Sequence, residues 1–298
     1  MHRRHLVLSA LIAVLWLAPS AAWAGKYDLD LTRLGSQNAA TGELEQDDQG
    51  FRSVSSELGA VMAPRPVDPA DSLGLSGFAI SADVGIHTIA GNRNYWAAPT
   101  RGKADNVVPT LQVMGRKGLW PGLEVGGGAT HLFDSRMWAM TGYVKFAFHE
   151  GFHHLPIPSI SVRGSFSRVL GAKDLNMTTA APAITVSHVF GLGKTFSLTP
   201  YVGYEALIIV ARSHVLDATP NCDEFPDSYN ECADDGTNSQ NEFVFKNAGA
   251  MVRHRPHFGA RMIFSVIRLT FEAMFTPKGR REGELDGRKI KDGSKFQQ

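Results

Sequence analysis

The dominant pattern in this chain is a period-two alternation of apolar with small or polar residues, running from Leu75 to Phe275. In the first segment Phe78, Ile80, Ala82, Val84 and Ile86 share one face, and Ala79, Ser81, Asp83, Gly85 and His87 share the other. That is a β-strand with one apolar face. The rhythm returns in eight further segments, near 107–116, 123–130, 138–148, 160–167, 179–187, 198–208, 257–265 and 267–275. Each spans about ten residues, the length with which a tilted strand crosses a bilayer. The connections alternate as well. Gly91 to Asn106, Gly171 to Asn176 and Arg212 to His254 are polar loops, the last very long. Lys117 to Gly122, Gly191 to Lys194 and Ser265 to Ile267 are tight turns. Phe133 to Arg136 and Glu150 to Pro158 break this rule of long and short.

Alternation alone fits a soluble exported β-sandwich as well as a membrane barrel, since the apolar face meets a core in one and lipid in the other. Three features favour the barrel. The non-apolar face is rich in Gly, Ser, Thr and Ala, which suit a narrow lumen. Its isolated charges can pair across an interior, which predicts a polar lumen network of Asp83, Glu124, Lys145, Arg163, Glu205, Arg261, Arg268 and Glu272. Trp96, Trp120, Trp138, Phe148, Tyr201 and Phe275 recur near strand ends, as interfacial girdles do. The expected fold is therefore all-β, a closed antiparallel transmembrane β-barrel of about 8–10 strands. Nine segments are visible where an even number is the rule. Either the tail hides a weak tenth strand, or the region Phe243 to Val252 pairs in, or one segment is misread.

The remaining segments set the organisation. Residues 1–24 combine His2-Arg-Arg-His5, an apolar run from Leu6 to Leu17 and an Ala-x-Ala end, the three parts of a cleaved secretory signal. Residues 25–74 are acidic, and form the expected periplasmic N-terminal segment, a possible plug at the periplasmic mouth. Within it Phe51 to Met62 is read as a helix, with Ser53 and Ser56-Glu57 as a capping signal, ended by Pro64, Pro66 and Pro69. Residues 75–277 are the barrel and 278–298 a charged C-terminal tail.

Composition sharpens this picture in three places. A mean hydropathy of −0.12 looks soluble, yet alternation gives the same average in a barrel. The 30 basic and 29 acidic residues nearly cancel, which offers no global attraction to nucleic acid. Only two cysteines are present, Cys222 and Cys232 in the long loop, and an exported protein pairs them as a disulfide.

Candidate chemistry is sparse. The same loop carries Asp217, Asp223, Glu224, Asp227, Glu231, Asp234, Asp235 and Glu242, a solvated acidic stretch without the EF-hand spacing for calcium. His149, His153 and His154 cluster at a turn with Pro156 and Pro158, which gives no helical metal-ligand spacing and no serine partner. Gly126-Gly-Gly128 sits mid-strand and serves close packing rather than phosphate binding. No metal, cofactor or catalytic residue is predicted.

Gly77-Phe78 opening the first strand, Pro200-Tyr-Val-Gly-Tyr204 in the seventh and Leu269-Thr-Phe-Glu-Ala273 near the end resemble outer-membrane β-barrel proteins of Gram-negative bacteria. The likeness covers the pattern from Phe51 to Phe275. It departs at the C-terminus, which ends Lys295-Phe-Gln-Gln298 rather than in a strand with a terminal aromatic. The resemblance implies an outer-membrane location, contact with lipid and lipopolysaccharide, and handling by the barrel-assembly machinery, with no cofactor and no nucleic acid. The expected function is non-enzymatic: envelope integrity, surface interaction or restricted small-solute passage through a narrow lumen. The alternatives are a lipid-modifying outer-membrane enzyme and a soluble exported binding domain.

Overall fold

The computed structural model describes residues 25–37, 44–149, 157–192, 196–217, 242–247, 249–264, 267–277, 283–285 and 288–290. The signal segment, both cysteines, most of the acidic loop, and His153 and His154 lie outside these residues.

Nine long strands follow the alternation: β1 (Phe78–Thr88), β2 (Val107–Trp120), β3 (Leu123–Leu132), β4 (Trp138–His149), β5 (Ser159–Leu170), β6 (Leu175–Ser187), β7 (Phe196–Ser213), β8 (Ala250–Phe264) and β9 (Ile267–Met274). They form one sheet in sequence order, every neighbouring pair antiparallel. A short strand, Phe190–Leu192, adds a tenth member by pairing with the start of β7. The sheet curls into a half-barrel. Among the described residues β1 and β9 pair with each other nowhere, so the expected closed wall is an open curl with a seam. Eight antiparallel steps separate β1 from β9, so the two seam strands run in the same direction.

The number of long strands stays at nine. Ala250, Met251 and Val252 do pair in, as an extension of β8 toward its N-terminus rather than as a separate strand. Val252, His254, Pro256 and Phe258 point outward while Met251, Arg253, Arg255 and His257 are buried. Pro256 tolerates the strand although it cannot donate a ladder bond.

Burial runs opposite to that of a water-soluble sheet. Phe78, Ile80, Val84 and Ile86 of β1 are exposed, as are Trp138, Met140, Val144, Phe146 and Phe148 of β4, and Leu269 and Phe271 of β9. Their polar neighbours Glu124, Lys145, Arg163, Ser165, Ser167, Thr179, Glu205, Arg255 and Arg261 are buried. The aromatic girdle is partly as expected: Trp120, Trp138, Phe148 and Phe275 face outward. Trp96 and Tyr201 do not belong to it. Trp96 is packed in the core and Tyr201 points inward, because each finds an internal carboxylate for its polar hydrogen.

The N-terminal segment occupies the inside of the curl. Helix α1 (Asp48–Met62) is longer than its apolar run suggests. Its N-cap is Asp47, whose carboxylate accepts from Gly50 N–H at 2.7 Å; Ser53 lies inside the helix and its hydroxyl donates to the Gln49 carbonyl. Phe51, Val54, Leu58, Val61 and Met62 are buried against Leu132, Met177, Leu207 and Ile209 of the wall. A Cβ on Gly59 would come within 2.7 Å of Ile209 Cγ2, so the glycine permits this close approach of helix to wall. All of this lies at the end of the sheet carrying the long connections. From Pro64 onward the segment runs to the opposite mouth, beside the short turns, where the Gly77 carbonyl accepts from Gly118 N–H.

Candidate functional site

After Met62 the chain runs down the lumen without regular structure until it enters β1. A buried irregular backbone must have each N–H and C=O satisfied. Pro64, Pro66 and Pro69 reduce the problem by carrying no N–H. Wall side chains complete it. Arg255 donates to the Ala60 and Pro64 carbonyls at 3.1 and 3.0 Å, and Arg163 donates to the Pro66 carbonyl at 2.9 Å. Gln112 brackets Arg65, accepting from its N–H and donating to its carbonyl. Glu272 accepts from Val67 N–H, Ser187 from Ala70 N–H and Glu124 from Leu73 N–H, each near 3 Å. Val67 sits at φ 40°, a left-handed conformation that costs a β-branched residue about 1–3 kcal/mol. Its N–H bond to Glu272 is one of the contacts that hold it there.

Below Val67 lies a cluster of three carboxylates and three cations. Asp68 bonds Lys145 at 2.7 Å and Arg116 at 2.9 Å, and lies 3.4 Å from Arg261. Asp71 bonds Arg261 at 2.9 Å, and Glu124 lies 3.3 Å from Lys145. Burial alone would push the Asp68 carboxyl up, but Lys145, Arg116 and Arg261 outweigh it and hold the group well below the usual carboxylate range. A second pair, Glu205 with Arg255 at 2.5 Å, is a direct cross-strand pair of β7 and β8. Arg163 stacks over the Tyr143 ring at 3.9 Å, and the Tyr143 hydroxyl donates to Glu124 at 2.7 Å. Tyr143 and Tyr201 have room because their direct cross-strand partners are Gly126 and Gly259.

At the other end α1 is fastened by Glu57. Its buried carboxylate accepts from Ala90 N–H at 3.1 Å, Tyr95 O–H at 2.8 Å and Trp96 Nε1–H at 2.6 Å. Tyr95 and Trp96 belong to the single-turn helix α2 (Asn94–Ala97) in the β1–β2 connection. Phe51 stacks on Phe245 with ring centroids 4.6 Å apart.

Of the predicted lumen residues, Glu124, Lys145, Arg163, Arg261 and Glu272 bond to the inner segment or to one another, and Glu205 pairs with Arg255. Asp83 accepts from Ser81 at 3.2 Å but joins no ion pair within 4.0 Å, and Arg268 faces a cavity. His87 lies 3.0 Å from the Thr110 hydroxyl. The expectation of charges pairing across the lumen missed the inner partners Asp68 and Asp71, together with Arg116, Arg253 and Arg255. The signal for the arginines was their inward parity; none marked Asp68 as the hub. Among the described residues no group of three or more metal-ligating side chains occurs. Comparison with protein-family models, with curated proteins and with solved structures gives no match.

Proposed function

We propose that the chain is an outer-membrane β-barrel of a Gram-negative envelope, with a lumen kept narrow by its own N-terminal segment. The observation that carries this reading is the inverted burial: apolar side chains of the strands face outward while arginines, lysine and carboxylates are buried. A water-soluble monomer rarely exposes so continuous an apolar surface, whereas a barrel in lipid requires one. On this reading its surroundings are outer-membrane lipid and lipopolysaccharide, and the barrel-assembly machinery inserts it. Its role is non-enzymatic, in envelope integrity, surface contact or restricted passage of small solutes.

The ion cluster and the irregular inner segment support the narrow lumen, because a wall of this strand number encloses an interior that side chains largely fill. Two measurements test the reading. The purified protein is expected to migrate differently on gels before and after boiling, and to need detergent for extraction. Recovery from the soluble periplasm, with no heat-dependent band, overturns it. In planar bilayers the intact protein is expected to conduct far less than an open general porin.

A further inference from the structure

We propose that the seam between β1 and β9 is a lateral binding site for a single-chain anionic amphiphile, its head group held by Arg268. The inference rests on the outer-membrane reading. The two seam strands run in the same direction and do not pair, so each leaves a row of backbone N–H and C=O groups without a strand partner among the described residues. Within a bilayer such edges persist only where they line a polar, wet cavity. A cavity of about 1080 Å³ lies there, bounded by β1, β9 and the inner segment. Its volume is that of a ligand pocket.

The cavity is two-sided. Its rim carries Ile80, Val84, Ile86, Leu269 and Phe271, all exposed and continuous with the outward apolar face. Its floor carries charged groups, and the hydrogen bonds already made decide which sign remains available. Glu57 accepts three hydrogen bonds, Glu272 accepts from Tyr201 O–H and Val67 N–H, and Asp83 accepts from Ser81. Arg116 is paired with Asp68 and Arg255 with Glu205. The Arg65 guanidinium makes one bond, to the Asp83 carbonyl at 3.3 Å. Arg268 has no hydrogen-bond or ion-pair partner among the described residues. A guanidinium offers five donors, and Arg268 is the one charged group of the floor that has no partner among the described residues, which suits an anion. A small free anion would leave the apolar rim uncovered. A carboxylate or phosphate on an acyl chain satisfies both parts, the head reaching Arg268 through the seam and the chain lying along the rim.

The test uses the full chain in uncharged phosphatidylcholine vesicles, with cis-parinaric acid as fluorescent probe. Saturable binding is expected, weakened about tenfold or more by Arg268→Gln and equally by converting the probe to its methyl ester. Arg268→Gln removes no bond within the described structure, and its folding is checked by heat-dependent migration. Thr270→Trp, which keeps every charge and fills the cavity from β9, is expected to abolish binding. Acetate is expected not to displace the probe. Equal binding of acid and ester, or an unchanged affinity in Arg268→Gln, overturns the proposal. Displacement by acetate overturns it in favour of a small-anion site. A heat-modifiable protein that binds no probe refutes the seam site alone. A protein with no heat-modifiable band refutes the outer-membrane reading, and the seam site with it.

Discussion

Replacing Asp68 with Asn isolates the hub of the lumen. The substitution preserves shape and removes one negative charge, so three cations then face two carboxylates. Lys145 keeps Glu124 at 3.3 Å and Arg261 keeps Asp71 at 2.9 Å, while Arg116 loses its one ion-pair partner. Breaking a buried ion pair by removing one member costs about 3–5 kcal/mol. Because two of the three cations retain a carboxylate, the lower end applies, about 3 kcal/mol, against a total stability of roughly 5–15 kcal/mol. Denaturant unfolding in detergent, followed by the heat-modifiable band, measures the loss directly. Asp68→Asn/Arg116→Met restores the balance of charge and is expected to recover at least half of it. A loss below about 0.5 kcal/mol, or a double variant no better than the single, would refute the assignment of Asp68 as hub. The acid dependence follows with a definite sign. Asp68 has a folded carboxyl below its unfolded value, so its contribution is present in full above the unfolded value near 4 and is lost as pH falls toward the folded one. The stability gap between parent and Asp68→Asn is therefore expected to hold from pH 7 to about 5 and to narrow below about 4.

Three further outcomes are expected. Glu57→Leu leaves the Trp96 and Tyr95 donors and the Ala90 N–H without an acceptor, costs about 2–4 kcal/mol and shifts Trp96 emission to longer wavelength; an unchanged spectrum argues against the fastening of α1. Gly59→Ala gains about 1 kcal/mol in helix propensity but sets its Cβ against Ile209, so a net loss of about 1–2 kcal/mol is expected, reversed by Ile209→Ala. Val144→Arg places a charge on the outward face of β4; insertion into lipid is expected to weaken by about 2–4 kcal/mol, whereas solubility in water would hardly change, and an arginine tolerated equally in both settings contradicts a lipid-facing wall.

The wall was legible from period two alone, because a strand declares its faces locally. Where the reading stopped short, a local feature hid the parity. Arg253, Arg255 and Pro256 made the start of β8 look like loop, although Val252, His254 and Phe258 keep the outward phase. The helix start was misplaced because Ser53 and Glu57 imitate a capping box, while Asp47 caps from beyond the apolar run. Trp96 and Tyr201 were assigned to the girdle by their position at strand ends; their inward direction depends on Glu57 and Glu272, which are remote in sequence. The hub was the least legible part. Asp68 sits among prolines in a stretch with no periodicity, and Arg261, which it meets, is 193 positions away. No local pattern encodes such a contact; it exists because the chain crosses the lumen.

That crossing has a consequence for assembly. Gly25 sits beside Asp134 at the long-connection end, and the Gly77 carbonyl accepts from Gly118 at the far end, so the inner segment spans the bore in a single downward pass. It also precedes every strand of the wall. Arg163, Arg255 and Arg261 of the wall bond to the segment itself, so a wall without it would leave donors of all three buried without those acceptors. Segment and wall therefore complete each other, the one supplying acceptors and the other the donors that an irregular buried backbone requires.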